Sequence, residues 1–184
     1  PSEQIYSIIV PHHDLVKNER MDFWKDLPKF QDVENIILIS PNHFNAGDGD
    51  IITTDKVWQL QDEKEIFPAK DLIKSISDKN LAVISESAFH KEHGISNLLE
   101  EIKATFPQAK FLPLIIKSGT GQEKLDSLNK QLQKSCPNKC LQIASVDFSH
   151  YQPQALASLH DISALRALTK LDLKSILTDI EVDS

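Results

Sequence analysis

Two adjacent histidines follow an apolar run and a proline in Ser7-Ile-Ile-Val-Pro-His-His-Asp14. The pattern recurs in Ile36-Ile-Leu-Ile-Ser-Pro-Asn-His43, again an apolar run, a proline and a histidine. Leu141-Gln-Ile-Ala-Ser-Val-Asp-Phe-Ser-His150 passes through an acid to a third histidine, and Phe89-His-Lys-Glu-His93 carries another beyond the run Leu81–Ser85. Imidazole is the side chain readiest to bind a metal or move a proton near neutral pH. Neutral imidazoles suit zinc, copper and non-haem iron, and two histidines with a carboxylate and open positions suit ferrous iron. One histidine after a strand is ordinarily a surface or satisfied loop residue. His12, His43, His93 and His150 make four of the seven histidines, all just past apolar runs, and that recurrence favours a shared pocket. His90 reads as an exposed loop residue and His160 as a helix-face residue beside Asp161. Ser40 and Ser149 sit on no Gly-x-Ser-x-Gly turn, so nucleophilic hydrolysis lacks its usual scaffold. With five glycines and no phosphate-cradling loop, nucleotide binding is poorly supported.

For the four imidazoles to meet, the runs that precede them must be parallel strands whose carboxyl ends share one edge, where open α/β sheets bind ligands. Short apolar runs alternating with amphipathic stretches predict that arrangement: an α/β fold with a mostly parallel central sheet flanked by helices. Strands are expected at Tyr6–Val10, Asn35–Ser40, Leu81–Ser85, Lys110–Ile116 and Leu141–Ser145, with Ile51–Thr54 as a sixth. Ile95, Leu98, Leu99 and Ile102 repeat at helical spacing after Gly94, as do Leu125, Leu128 and Leu132. Leu156, Leu159, Ile162, Leu165 and Leu168 predict a helix after Pro153, and Leu171–Ile180 a second, shorter one. Asn45-Ala-Gly-Asp-Gly-Asp50 reads as a turn. The segment Thr53–Lys64, with Trp58, reads as a packed surface hairpin in preference to a lid over the pocket.

Composition narrows the partners. A chain of 184 residues with 40% apolar and 26% charged residues reads as one soluble globular domain. Its apolar runs fall well short of the roughly 20 residues that cross a bilayer, so no membrane partner is expected. A net charge of -7 with scattered cations argues against nucleic acid, whose phosphates need clustered cations. Cys136 and Cys140, in Cys-Pro-Asn-Lys-Cys, read as turn residues before a strand and not as a zinc half-site. They form no disulfide framework of the secreted kind, which points to the cytoplasm. A start at Pro1 and not at methionine points to a processed or trimmed chain. Oligomeric state is not legible.

The ordered set Pro11-His12, Ser40-Pro-Asn-His43, Glu92-His93 and Ser145-Val-Asp-Phe-Ser-His-Tyr151 resembles the Memo-like family, related in fold to class III extradiol ring-cleaving dioxygenases. It covers nearly the whole chain. The resemblance implies a class III extradiol dioxygenase-like fold and a divalent transition metal, iron or copper before zinc, on His12 and His43. It also implies His150 as the acid–base or substrate-contacting residue, with Asp147 orienting an imidazole or binding substrate. His93 is expected to act with His150 and Asp147 as a catalytic residue, and His93 and Glu92 to form the pocket wall, holding an imidazole tautomer or a substrate group. The family usually continues its first motif as His-Ala-Gly-Tyr, where this chain has His12-His13-Asp14-Leu15, so His13 or Asp14 adds polar chemistry or a ligand. Along an extended segment neighbouring side chains point opposite ways, so His13 is expected beside the site, not as a second ligand with His12. After Glu92-His93 the family favours a serine, an acid and a Pro-Phe pair, whereas this chain reads Gly94-Ile-Ser-Asn97.

The family's third ligand is a cysteine after its closing helices, and this sequence stops at Glu181-Val-Asp-Ser184, so a single domain over 1–184 lacking a C-terminal segment is expected. The leading expectation is a metal-dependent, dioxygenase-like oxidoreductase acting on a small organic substrate. The alternatives are a zinc hydrolase with Glu92 or His150 as general base, and a non-catalytic module binding a peptide or other ligand.

Overall fold

The apolar runs pair as one six-stranded sheet in a computed structural model that describes residues 7–27, 33–172 and 176. Across the sheet the strands are β1 (Ser7–Val10), β8 (Cys140–Ser145), β2 (Asn35–Pro41), β7 (Lys110–Ile116), β3 (Ile51–Thr53) and β6 (Val83–Ile84). The first four run parallel; β3 joins β7 antiparallel, and β6 runs parallel to β3. This is the expected mostly parallel α/β sheet, consistent with an extradiol dioxygenase-like fold. The sheet lies in the first of two compact units, residues 1–146, the second being 147–184.

The central strands are continuous Ile/Leu runs because both of their faces are covered. Alternate residues point to opposite faces. Ile36, Leu38, Phe111 and Ile115 pack with Trp24, Ile95, Leu98 and Ile102, while Ile37, Leu112 and Leu114 pack with Leu72, Ile76, Leu128 and Leu132. Each such fully buried side chain contributes about 1.5–3 kcal/mol relative to exposure. The first face is covered by α1 (Lys17–Asp26), α3 (His93–Ser96) and α4 (Leu99–Thr105), the second by α2 (Lys70–Ser77) and α5 (Gln122–Ser135).

Several expectations need correction. Leu81–Ser85 shrinks to the two exposed residues of β6, an edge strand with one neighbour. The single helix expected after Gly94 is two short helices, broken at Asn97-Leu98, although Ile95, Leu98, Leu99 and Ile102 are all buried. Helix α1 carries no apolar period because its buried residues are Arg20 and Trp24. Thr53–Lys64 contains β4 (Trp58–Gln59), which pairs with β5 (Glu65–Ile66) as a hairpin, and the Trp58 ring packs edge-on against Phe89 at 6.0 Å. Cys136 and Cys140 flank their turn but are joined by a disulfide. Disulfides are rare in reducing cytosol, so the cysteines no longer argue for a cytoplasmic location. No helix among the described residues is long and apolar enough to cross a membrane.

The second unit contains α6 (Gln154–Thr169), beginning after Pro153 as its spacing predicts. Ala164 and Ala167 are buried there, whereas Leu159, Ile162 and Leu165 are exposed. The helix expected at Leu171–Ile180 lies largely outside the described residues.

Candidate metal centre

Strand pairing sets the first imidazole. Val10 is level with Ser145 in the β1–β8 register, and the Val10 carbonyl accepts the Val146 amide. Pro11 has no N–H to continue the ladder, so the chain leaves the sheet and His12 enters the interior, 2% exposed. Its Nδ1 lies 3.0 Å from Ser145 Oγ, which is itself 2.5 Å from the Gly94 carbonyl. A carbonyl only accepts, so the single hydroxyl proton goes to Gly94 and Ser145 Oγ accepts from His12 Nδ1–H. That tautomer puts the lone pair of His12 on Nε2. His13 is exposed, and its Nδ1 accepts the Leu15 amide to cap the turn Asp14–Val16; Asp14 is exposed within that turn.

His43 follows β2 through a turn held by Asn42, whose side chain exchanges hydrogen bonds of 2.9 and 3.0 Å with the Ala46 backbone. Its backbone amide and ring Nδ1 both meet Glu92, at 3.0 and 2.5 Å. Glu92 is 1% exposed and also accepts the Gly94 amide, capping α3. Burial pushes the Glu92 carboxyl up, but the hydrogen bond and charge of His43, with the Gly94 and His43 amides, outweigh it and hold it below the usual carboxylate range. An ionised Glu92 accepts Nδ1–H, so His43 also carries its lone pair on Nε2.

His93 opens α3 directly after Glu92. Its ring centroid lies 4.1 Å from that of His43 and 5.3 Å from that of His12, while His12 and His43 are 4.9 Å apart. One nitrogen of each imidazole lies within 4.8 Å of the others. With metal–nitrogen distances of about 2.0–2.1 Å, small ring rotations would let the three share an ion. Three imidazole nitrogens suit zinc, copper, iron or nickel. His12 is buried and His43 borders solvent, so the cluster is open on one side.

Replacing Glu92 by glutamine keeps the shape but swaps a carboxylate oxygen for an amide donor facing donors. Metal affinity is expected to fall about 10–100-fold, measured by chelator competition. The downward shift means that Glu92 stabilises the metal-free fold above its unfolded pKa and loses that contribution as pH falls through the lowered value. Acid unfolding of E92Q should therefore lack this component.

The second unit holds His150 and Asp147. His150 Nε2 is 3.9 Å from Asp147 Oδ2, and its Nδ1 is a buried nitrogen with no hydrogen-bond partner among the described residues. Ser149 donates to Asp161 Oδ1 at 2.7 Å. His90 is exposed and His160 lies half-buried on α6.

Sequence reasoning missed Ser145 and Gly94 as site residues. Ser145 is recognisable only once β8 is known to lie beside β1. Gly94 did carry a signal, being one of five glycines and placed directly after His93; such a glycine marks close approach. A Cβ there would stand 2.0 Å from Ser40 Oγ, 3.1 Å from His43 Cε1 and 3.2 Å from Glu92 Oε1.

The sequence matches the family model described as Memo-like protein over residues 1–183. A MEMO1 family protein of Caldivirga maquilingensis is 22% identical over 186 residues, covering 96% of this chain and 64% of that protein. One from Methanosarcina barkeri is 28% identical over 182 residues, covering 94% and 64%. One from Methanococcus maripaludis is 27% identical over 155 residues, covering 78% and 52%. The chain thus spans less than two thirds of the length of these relatives. With ordered histidine motifs, a mostly parallel sheet and a family match along nearly its whole length, the chain belongs to the Memo-like family.

Proposed function

We propose that this protein binds one divalent transition metal on His12, His43 and His93 and works as a dioxygenase-like oxidoreductase on a small organic substrate. The observation that carries the reading is three clustered imidazoles, two of them locked by Ser145 and Glu92 with Nε2 as the donor atom. His93, expected in the pocket wall, becomes a ligand in this reading because it stands as close to His43 as His12 does. Iron or copper, when bound, would supply redox chemistry that imidazoles lack. The chain's own residues bind, orient and move protons. His150 is the proposed acid–base group, the role that the resemblance to the Memo-like family implies for it. Asp147, near its Nε2, would steady that imidazole.

A zinc hydrolase is the second reading, since the same nitrogens suit zinc. Its general base would be His150, because Glu92 is committed to His43 and Gly94 through both oxygens. Metal analysis of protein purified without added metal, followed by oxygen uptake with catechol-type compounds, separates the two. Iron or copper with substrate-dependent oxygen uptake is expected; zinc alone and no uptake would reject the oxidoreductase. Retained metal with turnover of neither kind would point instead to a non-catalytic binding module.

A further inference from the structure

We infer that Arg20 is a positioning residue for the metal centre, holding His12 in place through the carbonyls on either side of it; this rests on the three-histidine reading above. Arg20 Nη1 donates to the Pro11 carbonyl at 3.2 Å and to the His13 carbonyl at 3.0 Å. The other edge of the guanidinium faces Glu101 in a fork, with Nε and Nη2 each 2.8 Å from a carboxylate oxygen. Trp24 Nε1 donates to the same carboxylate at 2.8 Å. The Arg20 and Glu101 side chains are 0% and 2% exposed. Asn97, just past α3, donates to the His12 carbonyl itself at 3.2 Å. Three successive carbonyls are therefore held by side chains from α1 and from the end of the helix that His93 opens.

This matters because the sheet cannot do the work. Pairing of β1 ends at Val10, and Pro11 brings no N–H. The ladder that sets β1 therefore ends before the backbone from which His12 projects. A buried ion pair adds little net stability over apolar side chains of the same volume. Arginine alone, however, can face a carboxylate with one edge of its planar fork and two carbonyls with the rest. The pair converts the packing of α1 on α4 into a fixed position for one ligand.

The test uses cobalt(II) as the probe, its visible absorption bands reporting ligand geometry and chelator competition reporting affinity. Arg20→Lys preserves a charge partner for Glu101 but not the fork. It is expected to bind cobalt about 10–100-fold more weakly, with altered bands at saturation. Arg20→Met combined with Glu101→Met removes both charges together, so no lone ion is buried, and should show the same loss. Leu132→Ala, which destabilises the core on the opposite face of the sheet, should leave cobalt affinity within about twofold of wild type. Wild-type affinity and bands in both Arg20 variants would overturn the positioning role while leaving the metal reading standing. An equal loss in Leu132→Ala would overturn it as a general stability effect. No cobalt binding by the wild-type protein would overturn both.

Discussion

Replacing His12 and His43 together by alanine is expected to abolish metal retention, with affinity falling more than about 100-fold. Metal centres of this kind generally hold about three protein ligands, and the double variant keeps only His93 of the clustered imidazoles. The fold is expected to survive. Ser145 still donates to the Gly94 carbonyl, and Glu92 keeps the backbone amides of residues 43 and 94. What is lost is the charge-assisted bond from the His43 ring to a buried carboxylate, about 1–3 kcal/mol, together with the weaker bond from the buried His12 ring to Ser145. Metal content by elemental analysis and helical content by circular dichroism check both halves. Unchanged metal content in a folded double variant would remove the site.

A single added methyl at Gly94 is expected to do nearly as much damage. The Gly94 amide binds Glu92, its carbonyl takes the Ser145 proton that fixes the His12 tautomer, and its missing Cβ leaves room for Ser40. In Gly94→Ala the new carbon would stand 2.0 Å from Ser40 Oγ, a group only 2% exposed. Either Ser40 turns or the start of α3 moves, and moving α3 displaces His93 and Glu92 together. Overpacking of this kind costs about 1–3 kcal/mol, which for a chain of this size lowers Tm by about 2–12 °C. Metal affinity should fall more than that stability loss alone would cause. Gly121→Ala is the control, because a Cβ there meets nothing within 4 Å. Gly94→Ala with wild-type affinity would show that the floor of the site tolerates a side chain.

Much of the frame is legible in local pattern. Ile36–Ile39 and Phe111–Ile116 read as buried strands because a run covered on both faces has no polar alternation to disguise it, and β7 falls at its expected bounds. Pro11 and Pro41 mark where two ladders stop, which places His12 and His43 just beyond the strands. Helices α5 and α6 show in their leucine spacing. By contrast, α1 escaped notice: its inward residues are Arg20 and Trp24, whose apolar stems and polar tips leave no hydrophobic period.

What the chain determined by itself is therefore the types of its functional groups and the ends of the elements that carry them, since Pro, Gly and apolar periodicity act within a few residues. Which imidazoles meet was decided by tertiary structure. His93 joins His12 and His43 because α3 packs where β1 and β2 end, and the tautomers depend on Ser145 and Glu92, 133 and 49 residues from their partners. The Arg20–Glu101 fork spans 81 residues. Such contacts follow from strand register and helix packing, quantities set by the whole folded core, and no local propensity encodes them.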